Sequence, residues 1–268
     1  MELRSRALQV LCMDEPQLKA AAARELAALA ASLPVAQAAP QPTQAIPGRP
    51  TKPELVHPAR VPRRSPSKPE GLAALLHAIA HIEFNAINLA LDAVWRFDGM
   101  PHDYYLQWAQ VAGEEAYHFT LLREHLESLG HAYGDFTAHD GLWLMCEKTQ
   151  DDIVARMALV PRTLEARGLD ATPQIQDKLR NVGTPAAMRA VEILDIILRD
   201  EVGHVAIGNH WFKWLCDRDG FHPVALYPQL IDRYAAPKLH PPFNMDARRR
   251  AGFTDEELAR MLDPGPAI

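Results

Sequence analysis

Cysteine is scarce in this 268-residue chain, with three residues at positions 12, 146 and 216. An odd number so widely spaced excludes a disulfide framework, and no CxxC unit exists for zinc binding or thiol redox chemistry. An export signal is missing as well. The opening stretch MELRSRALQVLCMDEP breaks its apolar run at Gln9 and reaches Asp14 and Glu15 at once, too short for secretion or a membrane span, so a cytoplasmic protein with no membrane partner is expected. Charge of one sign does not dominate. Against 34 acidic residues stand 28 basic ones, a net charge of −6, which excludes a surface wholly devoted to nucleic acid and confines any polyanion contact to local patches. Strand-like alternation with paired turn signals is absent too, so no sheet is expected. What is present is 48% hydrophobic residues, enough for a sizeable core in one or two domains; global disorder is excluded.

Proline divides the chain. Ten of the 22 prolines fall within 34–69, where Arg49, Lys52, Arg60, Arg63, Arg64 and Lys68 face only Glu54. Prolines this dense favour extended backbone that donates no hydrogen bonds, so the segment reads as a basic linker, a strap along an acidic body rather than a nucleic-acid arm. Residues 1–33 ahead of it read as a helical appendage, with Asp14 as N-cap and Pro16 in the first turn. After it, apolar residues recurring at three and four predict a long helix over about 70–98, stopped at Gly99, and a second from Pro101 to Gly130. A loop over 131–141 follows. The helical period resumes over 142–168, where Pro161 must kink or divide it, and a short helix over 173–181 precedes a fourth long one from Thr184 and Pro185 to about 217. The bundle thus spans 70–220. Residues 221–268 read as an extension with a short helix over 224–234, an irregular proline-rich stretch, and a last helix opened by Thr254 and Glu257 in capping-box spacing.

The second and fourth long helices carry GEEAYHF and RDEVGHV, so Glu115 with His118 and Glu201 with His204 each form an ExxH pair. Three residues is about one helical turn, which sets both side chains on one face, ready to hold the same ion. Each pair lies on its helix's apolar stripe, with Val111 and Leu122 around the first and Ile197 and Val205 around the second. The first and third helices offer one stripe carboxylate each, Glu83 and Glu165; Glu147 is the alternative to Glu165 if Pro161 divides the third helix. Ionised groups in an apolar core cost several kcal/mol each unless paired or bound to a cation, and two divalent ions would compensate such a set. The order Glu, ExxH, Glu, ExxH on four helices is the ligand set of di-iron and di-manganese carboxylate bundles. Its spacing repeats, with 32 residues from Glu83 to Glu115 and 36 from Glu165 to Glu201, as a duplicated helix hairpin would give. Glu114 and Asp200, each just before a ligand Glu, are candidates to accept the second N–H of a ligand histidine. His77 and His81 read as exposed or as such supporting groups.

The segments HIEFNAINLALD, GEEAYHF, RDEVGHV and HPPFNMDARRRAGF resemble the bacterial ferritin-like domain-of-unknown-function family 455 over roughly residues 5 to 255. A more distant similarity is to the tRNA hydroxylase branch of ferritin-like enzymes. The resemblance implies an all-α fold, a ferritin-like antiparallel four-helix bundle with extra N- and C-terminal helices. It also matches Phe243, Asn244 and Arg248 to a family tail motif that could line a pocket entrance.

Mixed carboxylate and imidazole ligands suit two iron ions, with manganese as the other choice, better than zinc. The chemistry expected of such a site is O2 activation by an oxidoreductase of hydroxylase or oxygenase type on an organic substrate, either a small molecule or one carried on tRNA. A stable tyrosyl radical is not expected, because Leu122 stands one turn beyond His118 and Tyr117 points elsewhere. The alternatives are a tRNA-modifying hydroxylase-like enzyme, an iron-storage protein, and a metal-stabilised interaction module without turnover. Nucleic acid is not the favoured partner, since Arg248, Arg249 and Arg250 serve equally to cap an acidic bundle. The oligomeric state is open.

Overall fold

A computed structural model describes residues 2–62 and 64–262; the linker's Arg63 lies outside the described residues. The described chain is helical, with no strand among the described residues and a single parallel bridge between Leu55 and Ala138. Its described residues divide into two compact units, one within 1–143 and 178–193 and the other within 144–177 and 194–262.

In the first unit, α1 (Leu3–Leu11) is capped by the Glu2 carboxylate, which accepts the N–H groups of Arg4 and Ser5. Helix α2 (Pro16–Leu29) has Pro16 in its first turn, and its cap is Glu15, one residue later than the expected Asp14; the Glu15 carboxylate accepts from Leu18 N–H at 2.6 Å. The long helices are α3 (Pro69–Arg96) and α4 (His102–Ser128). They end where the sequence indicates, with Gly99 and Gly130 at φ of +71° and +81°, a conformation that costs glycine little. Joined by a short turn and packed along their length, α3 and α4 form an antiparallel pair. Helix α1 packs on α3 and α2 on α4, so the expected appendage is part of this unit's core. Gly113 permits that contact: a Cβ there would stand 2.5 Å from the Ala27 Cβ.

Buried charges tie the unit together. Arg4, fully buried, donates to the Trp95 carbonyl at 3.1 and 2.7 Å and to the Ala36 and Gln37 carbonyls at 3.0 Å, and pairs with Asp98. The Lys19 ammonium donates to Asn88 Oδ1 at 2.7 Å and to the Gly48 carbonyl at 2.8 Å. Since Ala36, Gln37 and Gly48 belong to the proline-rich segment, these bonds fasten it. Arg49 adds a two-pronged pair with Asp140, at 3.1 and 2.6 Å. The Val56 N–H donates to the Ala138 carbonyl at 2.8 Å and the Ala138 N–H to that of Glu54 at 3.0 Å. These bonds hold the proline-rich segment along the first unit.

Helices α5 (Gly141–Lys148) and α6 (Ile153–Leu159) follow. The third helix expected over 142–168 is broken at 149–152, whereas the helical backbone continues through Pro161. Val160–Glu165 widens into a π-helix and runs on into α7 (Ala166–Val182), which absorbs the separate short helix expected at 173–181 and carries Pro173 inside it. Thr184 Oγ1 accepts from Ala187 N–H at 3.2 Å and opens α8 (Pro185–Asp219), the longest helix. Then come α9 (Pro223–Arg233), α10 (Met245–Arg250) and α11 (Asp255–Leu262). The capping box of α11 forms as expected: Thr254 N–H donates to the Glu257 carboxylate at 2.7 Å and Glu257 N–H to Thr254 Oγ1 at 3.2 Å. The second unit's core joins Ala166, Leu169, Val205, Ala247, Ala251, Phe253 and Leu258.

Among the described residues α3 is the one helix long and apolar enough to cross a membrane, and 72% of its most apolar window is buried in the protein's own interior, which accounts for that composition. The three cysteines carry free thiols, and burial pushes that of Cys216 up to about 11.

Candidate metal centre

Glu83 lies at mid-length of α3, and Glu115 and His118 lie one turn apart at mid-length of α4. All three are buried, Glu115 and His118 completely. The helix pair brings His118 Nδ1 to 3.2 Å from Glu83 Oε2 and 3.3 Å from Glu115 Oε2. One ligand atom from each of the three lies within 4.8 Å of the others, a buried Glu/His group that could hold a metal ion. Burial pushes the Glu83 carboxyl well above its ordinary range and the nearby Glu115 carboxylate pushes it further, while the hydrogen bond from His118 opposes both. Two carboxylates sharing a buried site repel each other, and a bound cation would remove that penalty.

Phe84 packs on Phe119 and Tyr133, with ring centroids 5.3 and 5.6 Å apart, and Phe119 meets Tyr133 edge-on at 5.1 Å. His77 and His81 are buried, not exposed. His81 places Nδ1 at 2.8 Å from the Tyr133 hydroxyl and Nε2 at 3.0 Å from the Asn85 amide. His77 Nε2 accepts the Gly134 N–H at 2.9 Å, and its ring stacks on Tyr133. Burial lowers their pKa values to about 4 for His77 and about 3 for His81, so both rings are neutral near neutrality. Tyr133 sits in a loop with no periodicity, and nothing in the sequence singles it out. Leu122 is fully buried and apolar one turn beyond His118, while Tyr117 is 37% exposed with its ring against the Arg24 guanidinium.

In the second unit Glu201 and His204 sit one turn apart on α8 and are buried, with His204 Nδ1 3.8 Å from Glu201 Oε1. Glu165, at the end of the π-helix, is also buried at 8% exposure. Asp200 receives the Arg199 guanidinium at 2.8 and 3.1 Å, and Glu114 receives the Gln110 amide at 2.8 Å. Asn244 and Arg248 fasten the tail to α7, and Phe243 packs on Arg248. Asn244 caps α10 by accepting from Ala247 N–H at 3.2 Å, and it donates to the Asp170 carboxylate at 2.8 Å and the Leu169 carbonyl at 3.2 Å. Arg248 is fully buried, donates to Asp170 at 3.0 and 2.6 Å, and lies 5.3 Å from the Phe243 ring centroid.

Residues 12–259 match the family described as proteins of unknown function, DUF455. A Haemophilus influenzae protein described as uncharacterized is 52% identical over 216 residues, which cover 78% of this chain and 74% of that relative. No solved structure matches. A match over most of the length and a relative this similar place the chain in one group: it belongs to the DUF455 family.

Proposed function

We propose that this is a ferritin-like di-iron carboxylate protein, with manganese as the other metal choice, that acts in the cytoplasm as an O2-dependent oxidoreductase on an organic substrate. The observation that carries the reading is the buried group of Glu83, Glu115 and His118, two carboxylates and an imidazole gathered from two helices and shielded from bulk solvent. In this reading Glu83, Glu115 and His118 hold one ion, and Glu165, Glu201 and His204, the second Glu and ExxH of the repeated sequence pattern, hold the other. Two ferrous ions in such a set would supply two of the four electrons for reduction of O2, the organic substrate the other two, and an external electron donor would return the irons to the ferrous state. The chain's own contribution is orientation and exclusion of water. The one-turn spacing fixes Glu115 and His118 on one face of α4, the facing helix supplies Glu83, and the packed rings of Phe84 and Phe119 keep solvent out.

The test is metal content after anaerobic loading of wild type, Glu115→Ala and His204→Ala, followed by O2 consumption with and without candidate substrates. Two irons per wild-type chain, fewer in both variants, and substrate-stimulated O2 uptake support the reading. A wild type that retains neither iron nor manganese refutes it. Retained iron in a large closed assembly would replace it with storage, and retained metal with no turnover on small molecules or tRNA would replace it with an interaction module.

A further inference from the structure

Pro161 lacks an N–H, and its ring would collide with the Met157 carbonyl four residues back in an α-helix. The chain answers with the π-helix Val160–Glu165, and Thr163 Oγ1 donates to the Ala158 carbonyl, five residues back, at 2.7 Å. A π-turn takes in one extra residue, so every side chain beyond it is rotated by about 100°, one residue's share of a 3.6-residue turn. Glu165 is the last residue of that turn.

The wide turn needs a matching gap, and α8 provides it at Gly208. A Cβ at 208 would stand 2.6 and 2.7 Å from Pro161 Cβ and Cγ. Glycine inside a helix costs roughly 0.5–1 kcal/mol relative to alanine, so the close approach is what requires it. On the same helix, a Cβ at Gly203 would meet nothing within 4 Å. The next residue pair is tied as well. Arg162 donates to Asn209 Oδ1 at 2.6 Å and to the Glu257 carboxylate at 2.8 Å, and its guanidinium lies among the rings of Phe212, Tyr227 and Phe253. Contacts 161 with 208 and 162 with 209 thus pin the π-turn to α8 in one register. Glu201 and His204 precede Gly208 by seven and four residues, on the same face of α8, and Glu165 follows Pro161 by four.

We propose that Pro161, Arg162 and Gly208 are positioning residues for the second half of the ligand set: together they turn Glu165 toward the face of α8 that carries Glu201 and His204. This rests on the di-metal reading above. Its test is titration of the metal-free, full-length protein with manganese(II), followed by electron paramagnetic resonance and mass spectrometry, on wild type, Gly203→Ala, Gly208→Ala and Pro161→Ala. Wild type and Gly203→Ala take up two equivalents. In Gly208→Ala the second equivalent binds about 10–100-fold more weakly with helical circular dichroism retained, the range seen when groups supporting metal ligands are removed. Pro161→Ala removes the collision that calls for the wide turn, and its second equivalent weakens likewise while the first binds as in wild type. A merely structural role would weaken both equivalents together. The proposal is overturned if Pro161→Ala binds both equivalents as wild type does, and that variant decides the matter if Gly208→Ala does not fold. A wild type and Gly203→Ala without a second equivalent would refute the di-metal reading itself and this proposal with it.

Discussion

Replacing His77 with glutamine tests whether a buried neutral imidazole makes the first unit acid-sensitive. In the folded protein burial holds the His77 pKa at about 4, against 6.5 for a free imidazole, and the charge of Asp135 only partly offsets this. Below pH 6.5 the unfolded chain therefore takes up a proton that the folded one refuses, and stability falls as pH falls, levelling off near pH 4. At 1.36 kcal/mol per pH unit, the loss between pH 7.5 and pH 5 is about 2 kcal/mol. A glutamine oxygen can still accept the Gly134 N–H that His77 Nε2 accepts now. Urea unfolding of metal-free wild type and His77→Gln at several pH values between 7.5 and 5 measures the difference. The variant is expected to lose about 2 kcal/mol less than wild type over that interval, with an unchanged denaturant slope. Parallel stability curves would refute the assignment of a neutral, buried His77.

Lys19 gives the opposite limb: burial, reinforced by the charge of Arg49, lowers its ammonium to about 7, so the folded state binds fewer protons than the unfolded one above neutrality. Wild-type stability should then rise by about 2 kcal/mol between pH 7 and pH 9, a rise absent from Lys19→Met in the same urea experiment. Arg248→Ala strands the Asp170 carboxylate, which is 10% exposed, and should cost about 3 kcal/mol on denaturation and open the chain near residue 243 to protease.

The sequence alone determined the helical class and most helix ends, because those signals are local. Apolar residues at three and four mark one face of a helix, glycine after the last turn permits the left-handed residue, and Thr254 and Glu257 cap α11 within four positions. The same periodicity marked Glu83, Glu115, His118, Glu165, Glu201 and His204, since a carboxylate or imidazole on an apolar stripe is legible as an anomaly wherever the helix packs. Membership of the family was legible for the same reason, in short motifs that stand on those stripes.

Only the tertiary structure decided matters that depend on residues far apart in the chain. It placed Glu83 of α3 against His118 of α4 across 35 positions, and it buried His77 and His81 under Tyr133 from a loop without any periodic signal. It bound the proline-rich strap through backbone carbonyls to Arg4 and Lys19, which no pattern of side chains announces. At Pro161 two outcomes, a kink or a break, were open to local rules. The π-turn prevailed, with the Thr163 hydroxyl taking up the Ala158 carbonyl and Gly208 leaving room for the proline ring from nearly fifty residues away. Periodicity reports which face of a helix is buried; what lies opposite that face is settled by packing.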